Sequence, residues 1–527
     1  MNLSPRIRSF LEAHGATCLV VAWALLVWGL QALWLCWDHG PPVSDEWLHL
    51  TKAELLQRGL REGGLSGLLD AVSSLDTVYP PLVFLLAQPA FLLAGGFSTL
   101  AANLSIGPWL VVLVCATYGI GRRTVGTWPG VLAAVVVPAL PLLLSLSRKF
   151  LLDFPLAAAV AATAWALLAS DRLRKPAWVW LSGLLLGLAL LTKFIAGVFV
   201  LGMYAYLVLP PLSRALRRWP IPWLILAVLG GLELAWLGRE LHSWYLTTSG
   251  PMRHQVAGHG HNLVRALLDS QHLDPRWHLL GLASIVVVVV ALRMRDPELR
   301  ALVGVAAAVL AAAWLAGCWY LPQARIVVLR VGQLNSAAGL AEGDPGPSSM
   351  AGWLYYPWAL TRAMPAAWSA LVAGGLLVSL ALPRLRRGLG PVLASMAVAF
   401  VIINLSSNKE LRYAASVSPF LAVVAVGWLG SLPSVGRHLI QGVVVAMALC
   451  LLTSWIPVAA GWWTPSPDKV WRLDRVMASA GTITGFFLPD HLDPRELLTL
   501  PRFYVVAPLP RDLPYEDRDL PFGITGP

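Results

Sequence analysis

The sequence predicts an all-α polytopic membrane protein with about 13 transmembrane helices, counted as apolar runs long enough to cross a bilayer. Three observations lead there. Of the 527 residues, 57% are hydrophobic and only 13% charged, about half the roughly 25% charge of an average soluble domain; mean hydropathy is +0.67. The apolar residues fall in successive blocks of roughly 17–25 positions, the helix length that a hydrocarbon core of about 30 Å demands. The basic residues, which give a net charge of +11, sit in short clusters between those blocks: Arg122 and Arg123; Arg172, Arg174 and Lys175; Arg214, Arg217 and Arg218; Arg293, Arg295 and Arg300; Arg384, Arg386 and Arg387. A nucleic-acid reader would gather them on one polar face, so no nucleic-acid partner is indicated. The clusters mark cytoplasmic loops instead.

Taken in order, the first apolar block runs from about Ala16 to Trp37 behind Arg6 and Arg8. It is too long for a signal-peptide core and lacks a clear cleavage site, so it reads as a retained anchor. It delivers 38–95 to the outer side as the first outer loop. Within that loop Tyr79–Gly95 is expected to lie along the interface without crossing: crossing would put Arg122 and Arg123 outside and invert every later cluster. The further spans are Leu100–Gly121, Gly126–Ser147, Phe154–Ser170, Ala177–Thr192, Phe194–Leu212, Pro220–Gly238, Trp277–Arg293, Ala301–Tyr320, Pro365–Leu382, Leu389–Ser406, Ala415–Gly430 and His438–Val458. Residues 1–460 are thus expected to form a transmembrane domain and 461–527 a small extracytoplasmic C-terminal region with a strand-like run at Arg502–Val506. The larger loops, Asp38–Gly95, Arg239–Arg276 and Leu321–Met364, share the tail's outer side, so the protein is expected to work there. Cys18, Cys36, Cys115, Cys318 and Cys450 stand singly in apolar stretches, which indicates neither a disulfide framework nor a zinc site.

The outer segments hold the residues able to do chemistry. Ser44 is a good N-cap for a helix opening on Asp45 and Glu46, acids that suit its dipole. On that helix Asp45, His49 and Lys52 share one face, with Trp47, Leu48, Thr51 and Leu55 on the other. The turn Ser147–Pro155 places Arg148 and Lys149 outside, against the charge bias. Pairing with Asp153 would explain them, and so would binding an anionic lipid phosphate. Ser407–Tyr413 again puts two cations outside, Lys409 and Arg412, as a snorkelling anchor or a second phosphate clamp; Lys193 is a further cation at the outer boundary. His242, His254, His259, His261, His272 and His278 crowd one loop, at spacings too irregular to choose between metal ligation and a polar lid. Glu233, an intramembrane acid, is a candidate by position, with Arg239 as a structural partner.

Together these motifs resemble the GT-C glycosyltransferase superfamily, in particular protein O-mannosyltransferases and lipid A aminoarabinose transferases. Asp45-Glu46 resembles the acidic pair of the first outer loop, and Tyr79-Pro80-Pro81-Leu82 the His-Pro-Pro-Leu juxtamembrane helix. Ser147-Arg148-x-x-Leu151-Leu152-Asp153-x-Pro155 and Lys409-x-x-Arg412-Tyr413 with Pro419 resemble two further signatures, and Gly183–Lys193 a Gly-rich span ending in Lys. The likeness is densest in the first 200 residues. Tyr79 replaces the usual His, and Asn103 stands near where the mannosyltransferases carry an Arg.

The resemblance implies a GT-C fold, amphipathic juxtamembrane helices in the first outer loop, and a polyprenyl-phosphate-linked sugar donor with no nucleotide cofactor. It implies an enzyme acting at the extracytoplasmic face on a protein, lipid or glycan hydroxyl, by inverting displacement with Asp45 as base; the economy of the loops points to a bacterial inner membrane. Glu46 and Asp153 would orient Asp45 or hold a divalent metal ion, for which Asp45, His49 and Asp153 are the candidate ligands. Arg148, Lys149, Tyr79, Lys193, Lys409, Arg412 and Tyr413 would bind substrate. A transporter or lipid flippase is the alternative, but should carry charges at mid-membrane depth and broken, repeated spans.

Overall fold

The computed structural model describes residues 5–37, 45–75, 79–218, 275–320 and 343–454, with Pro42, Gly339 and Ile456 besides. Among them every regular element is a helix, as a polar backbone in hydrocarbon requires. Among the described residues, seven stretches are long and apolar enough to cross a membrane: His14–Cys36, Thr99–Thr124, Phe194–Arg218, Pro297–Tyr320, Pro383–Leu405, Leu411–Ser431 and Ser434–Thr453. Apolar helices of 10–17 residues accompany them. The chain is a multi-pass membrane protein. Ser44, the expected span Pro220–Gly238 with Glu233, the histidines from 242 to 272 and the region after 460 lie outside the described residues.

The first outer loop is built on two helices, α2 (Asp45–Ser73) and α3 (Leu82–Leu93). α2 folds back on itself at Gly64, whose φ of 60° suits a residue without a Cβ. Its inner face buries Glu46, His49, Lys52 and Gln57, while Leu48 and Leu55 are exposed, the arrangement of an interfacial helix with its apolar side toward lipid. α3 has 12 residues, about 18 Å at 1.5 Å per residue, too short to cross.

The bundle is centred on α8 (Asp153–Ala169) and α16 (Ser418–Gly427). Both are apolar all round and almost wholly buried, as helices enclosed by other helices are. α5 (Gly107–Thr124) and α9 (Pro176–Leu190) pack on α8, α12 (Pro297–Tyr320) on α9, and α10 (Val198–Arg218) on α15 (Pro383–Leu405). Small residues permit the close crossings: a Cβ on Gly183 would strike the Ala308 backbone, and one on Gly202 the backbone of Ala394.

The expected span Gly126–Ser147 is broken. α6 (Thr127–Val136) gives way to a 3-10 turn at Val137–Ala139 and then to α7 (Pro141–Leu146). Pro141 lacks a donor and pushes Leu140 out of the helical region, to φ −62° and ψ 123°. That break sets the height at which the 147–152 turn emerges, immediately before α8.

Alternation along the chain sorts the charges to two ends. Arg122 and Arg123 close α5, and Gly388 near the start of α15 lies against the Thr124 carbonyl. Arg214 and Arg218 at the end of α10 pair with Glu298 and Asp296 at the start of α12. The starts of α2 and α8 and the ends of α9 and α15 belong to the opposite end.

Candidate active site

Six side chains from four chain-distant segments meet at that opposite end. Asp45 comes from the first turn of α2 and Asp153 from the first turn of α8, where a helix N-terminus favours an anion. Lys193 follows α9. Glu410 precedes a 3-10 segment, Leu411–Val417, whose first turn carries Arg412 and Tyr413. The Arg412 guanidinium donates to Asp45 Oδ2 at 2.7 Å and, through the same terminal nitrogen, to Glu410 Oε1 at 2.7 Å; its Nε meets Glu410 Oε2. Tyr413 donates to Glu410 Oε1 at 3.2 Å. Lys193 Nζ bonds Asp153 Oδ1 at 2.8 Å and lies 4.9 Å from the Tyr413 ring centroid. The second oxygen of Asp153 is buried with no hydrogen-bond partner among the described residues.

Asp45 stands at the open edge of this cluster, its side chain 34% exposed against 2% for Asp153. Burial opposes its ionisation, but Arg412 and Lys193 more than offset that and hold its carboxyl below the ordinary carboxylate value. Glu46, the neighbouring acid, is buried and accepts the Phe150 backbone N–H at 2.9 Å. It ties the start of α2 to the 147–152 turn and so fixes where Asp45 sits.

The other expected residues are distributed differently. Arg148 is buried on the same turn, but Nε donates to Gln31 Oε1 at 2.6 Å and the guanidinium stacks 4.4 Å over the Trp34 ring of α1 (Pro5–Trp37). The partner that Asp153 takes is Lys193. Lys149 is half-buried beside Arg148. Tyr79 lies between Lys52, 4.3 Å from its ring centroid, and His49, whose ring meets it edge-on at 5.0 Å. Burial and the nearby Asp45 charge push the Tyr79 phenol well above its usual value. Lys409 is buried away from the carboxylates: Nζ donates to the carbonyls of Asn404 at 2.6 Å and Ile403 at 3.5 Å, closing the C-terminus of α15. Its backbone N–H donates to Asp344 Oδ2 at 2.6 Å.

The expected metal set does not assemble. Among the described residues no three His, Cys, Asp or Glu side chains are grouped to hold a metal ion. Arg412 and Lys193 occupy the carboxylates of Asp45 and Asp153, while His49 turns inward between Tyr79 and Phe84. Burial pushes the His49 imidazole down to about 3, which keeps it neutral at physiological pH.

Glu410 and Gln31 are not among the site residues expected from the sequence. Glu410 had a signal, an acid between two outer cations; Gln31, one amide in an apolar block, had none beyond its polarity.

Residues 78–236 match the family model for dolichyl-phosphate-mannose-protein mannosyltransferases. The match takes in Tyr79, Arg148, Lys149, Asp153 and Lys193, and leaves Asp45, Glu410 and Arg412 outside it. Two solved structures are similar to the chain. ArnT from Cupriavidus metallidurans bound to undecaprenyl phosphate has 18% identity and a TM-score of 0.30, over 80% of this chain and 79% of ArnT. The oligosaccharyltransferase AglB from Archaeoglobus fulgidus, in complex with an inhibitory peptide and a dolichol-phosphate, has 14% identity and a TM-score of 0.44, over 98% of this chain and 62% of AglB. No curated protein matches the chain.

Proposed function

We propose that this protein transfers a sugar from a polyprenyl-phosphate donor to an acceptor hydroxyl at the extracytoplasmic face, by one inverting displacement with Asp45 as general base. The observation that carries this is the cluster itself: a carboxylate partly open to solvent, 2.7 Å from Arg412, beside a second cation, Lys193, held by Asp153. The matched family, whose description names a dolichyl-phosphate sugar, supports the donor class.

The acceptor hydroxyl passes its proton to Asp45 as its oxygen bonds to the anomeric carbon. The bond from that carbon to the phosphate oxygen breaks, and the phosphate leaves with the electron pair. Arg412 and Lys193 meet the charge that develops on it, in a partly desolvated site where such contacts act strongly. A single displacement inverts the sugar. The leaving group is the lipid's own phosphate, so no nucleotide enters. The arginine clusters at the far end of the helices support an extracytoplasmic site.

Replacing Asp45 by Asn keeps shape and removes the base. Transfer from polyprenyl-phosphate-linked sugars should fall by roughly 10²–10⁴-fold at unchanged expression and folding. A D45N enzyme with full turnover would remove Asp45 from the chemistry.

A further inference from the structure

Arg412 has two carboxylate partners that it does not hold alike. Glu410, two residues away in sequence, accepts a hydrogen bond from one terminal nitrogen and makes an ion-pair contact with Nε, two points of contact on one side of the guanidinium. Asp45 takes a single contact from that terminal nitrogen. The Glu410 grip is braced by the Tyr413 hydroxyl; the Asp45 contact reaches across from another segment, at the exposed edge. One contact can therefore open without disturbing the other.

We propose that donor binding exchanges this contact: the donor's phosphate takes the Arg412 guanidinium from Asp45, with Glu410 as the fixed pivot, and the base is released only when a donor is present. The inference rests on the glycosyltransferase reading above. While Arg412 is on Asp45, the carboxylate is a weak proton acceptor, because its charge is already neutralised. A phosphate placed on the guanidinium cancels that stabilisation and leaves Asp45, at the open edge, beside new negative charge, a stronger base. The proton still moves from acceptor oxygen to Asp45, and the phosphate still departs with the electron pair; what changes is when Asp45 becomes able to accept. The arrangement suppresses idle chemistry without a donor and orders the reaction, donor before deprotonation. Glu410 is a positioning residue, acting through Arg412.

The exchange is a coupling between two anions for one cation, so it is reciprocal. Removing Asp45 as a competitor should tighten phosphate binding. Undecaprenyl phosphate binding is measured on the full-length protein in nanodiscs, for wild type, Asp45→Asn, Arg412→Gln and the double variant. We expect D45N to bind the probe roughly 5–150-fold tighter, the usual range for coupled sites, and R412Q to bind it more weakly. Adding D45N to R412Q should then change nothing. If D45N tightens binding equally in both backgrounds, the effect is plain repulsion between anions and the exchange is overturned. If D45N leaves affinity unchanged or weaker while R412Q loses it, the exchange fails but Arg412 keeps its phosphate role. If R412Q binds the probe like wild type, the assignment of Arg412 to the phosphate falls as well. For the pivot, Glu410→Gln should lower kcat in wild type, with Glu410→Asp recovering part, and should have no effect in the R412Q background. An equal loss in both backgrounds would make Glu410 merely structural.

Discussion

The Lys193–Asp153 pair allows structural and functional roles to be separated. Its atoms are 2.8 Å apart with side chains 13% and 2% exposed. At an effective dielectric of 20 the gross attraction is about 6 kcal/mol, set against desolvation of several kcal/mol for each ion. The pair as a whole is thus near neutral for stability, whereas either charge alone is costly. Lys193→Met leaves a carboxylate whose second oxygen already lacks a partner among the described residues, and should destabilise the protein by about 3–5 kcal/mol. Adding Asp153→Asn removes the stranded charge and should recover most of that. Activity should not follow. The double variant still lacks a cation for the leaving phosphate and should remain roughly 10²–10³-fold down in kcat, the loss typical of one missing electrostatic stabiliser. Stability is read from reversible unfolding in mixed micelles, and kcat from transfer by the same preparations. Recovery of activity together with stability would refute the reasoning, since the pair would then be only a strut between α8 and the end of α9.

Two further outcomes follow from the same geometry. Lys409→Met strips the cap from α15 and leaves the Asn404 and Ile403 carbonyls unanswered; we expect a stability loss of about 1–3 kcal/mol in thermal unfolding, with the KM for donor within about threefold of wild type, and a large rise in KM would return Lys409 to the phosphate site. His49 has a folded-state value of about 3 against 6.5 unfolded, so between those values the unfolded chain binds a proton that the native state does not: its stabilising share is complete above pH 6.5 and is lost as pH falls toward 3. His49→Phe should therefore flatten the decline of Tm between pH 6.5 and 4, and an unchanged slope would show that His49 is not the group responsible.

How much of this was legible in the sequence depended on whether the signal was local. The membrane character was, because a bilayer imposes one length and one polarity on every crossing helix; single spans were less so, since among the described residues seven stretches are long enough to cross and the expected Gly126–Ser147 is broken. Charge counting required Tyr79–Gly95 to stay on one side, and α3 within it is 12 residues long. The acids and cations of the outer segments were visible as charges lacking a topological reason. Their pairing was not. Arg148 and Asp153 are five positions apart and look like partners, yet a broken span turns Arg148 toward Gln31 and Trp34 of α1 and leaves Asp153 to Lys193, 40 positions later. Lys409 and Arg412 look like equal arms of one clamp, but three positions of chain separate an ammonium that closes α15 from a guanidinium that reaches Asp45. Which cation serves a helix end and which serves the site depends on where α15 stops, and Ser406 leaves the helix in an extended conformation, at φ −68° and ψ 140°. That one backbone step carries Lys409 back toward α15 and Arg412 onward to α2. It also explains why Glu410, lying between them, could be read as spacing and is instead the residue against which Arg412 is held.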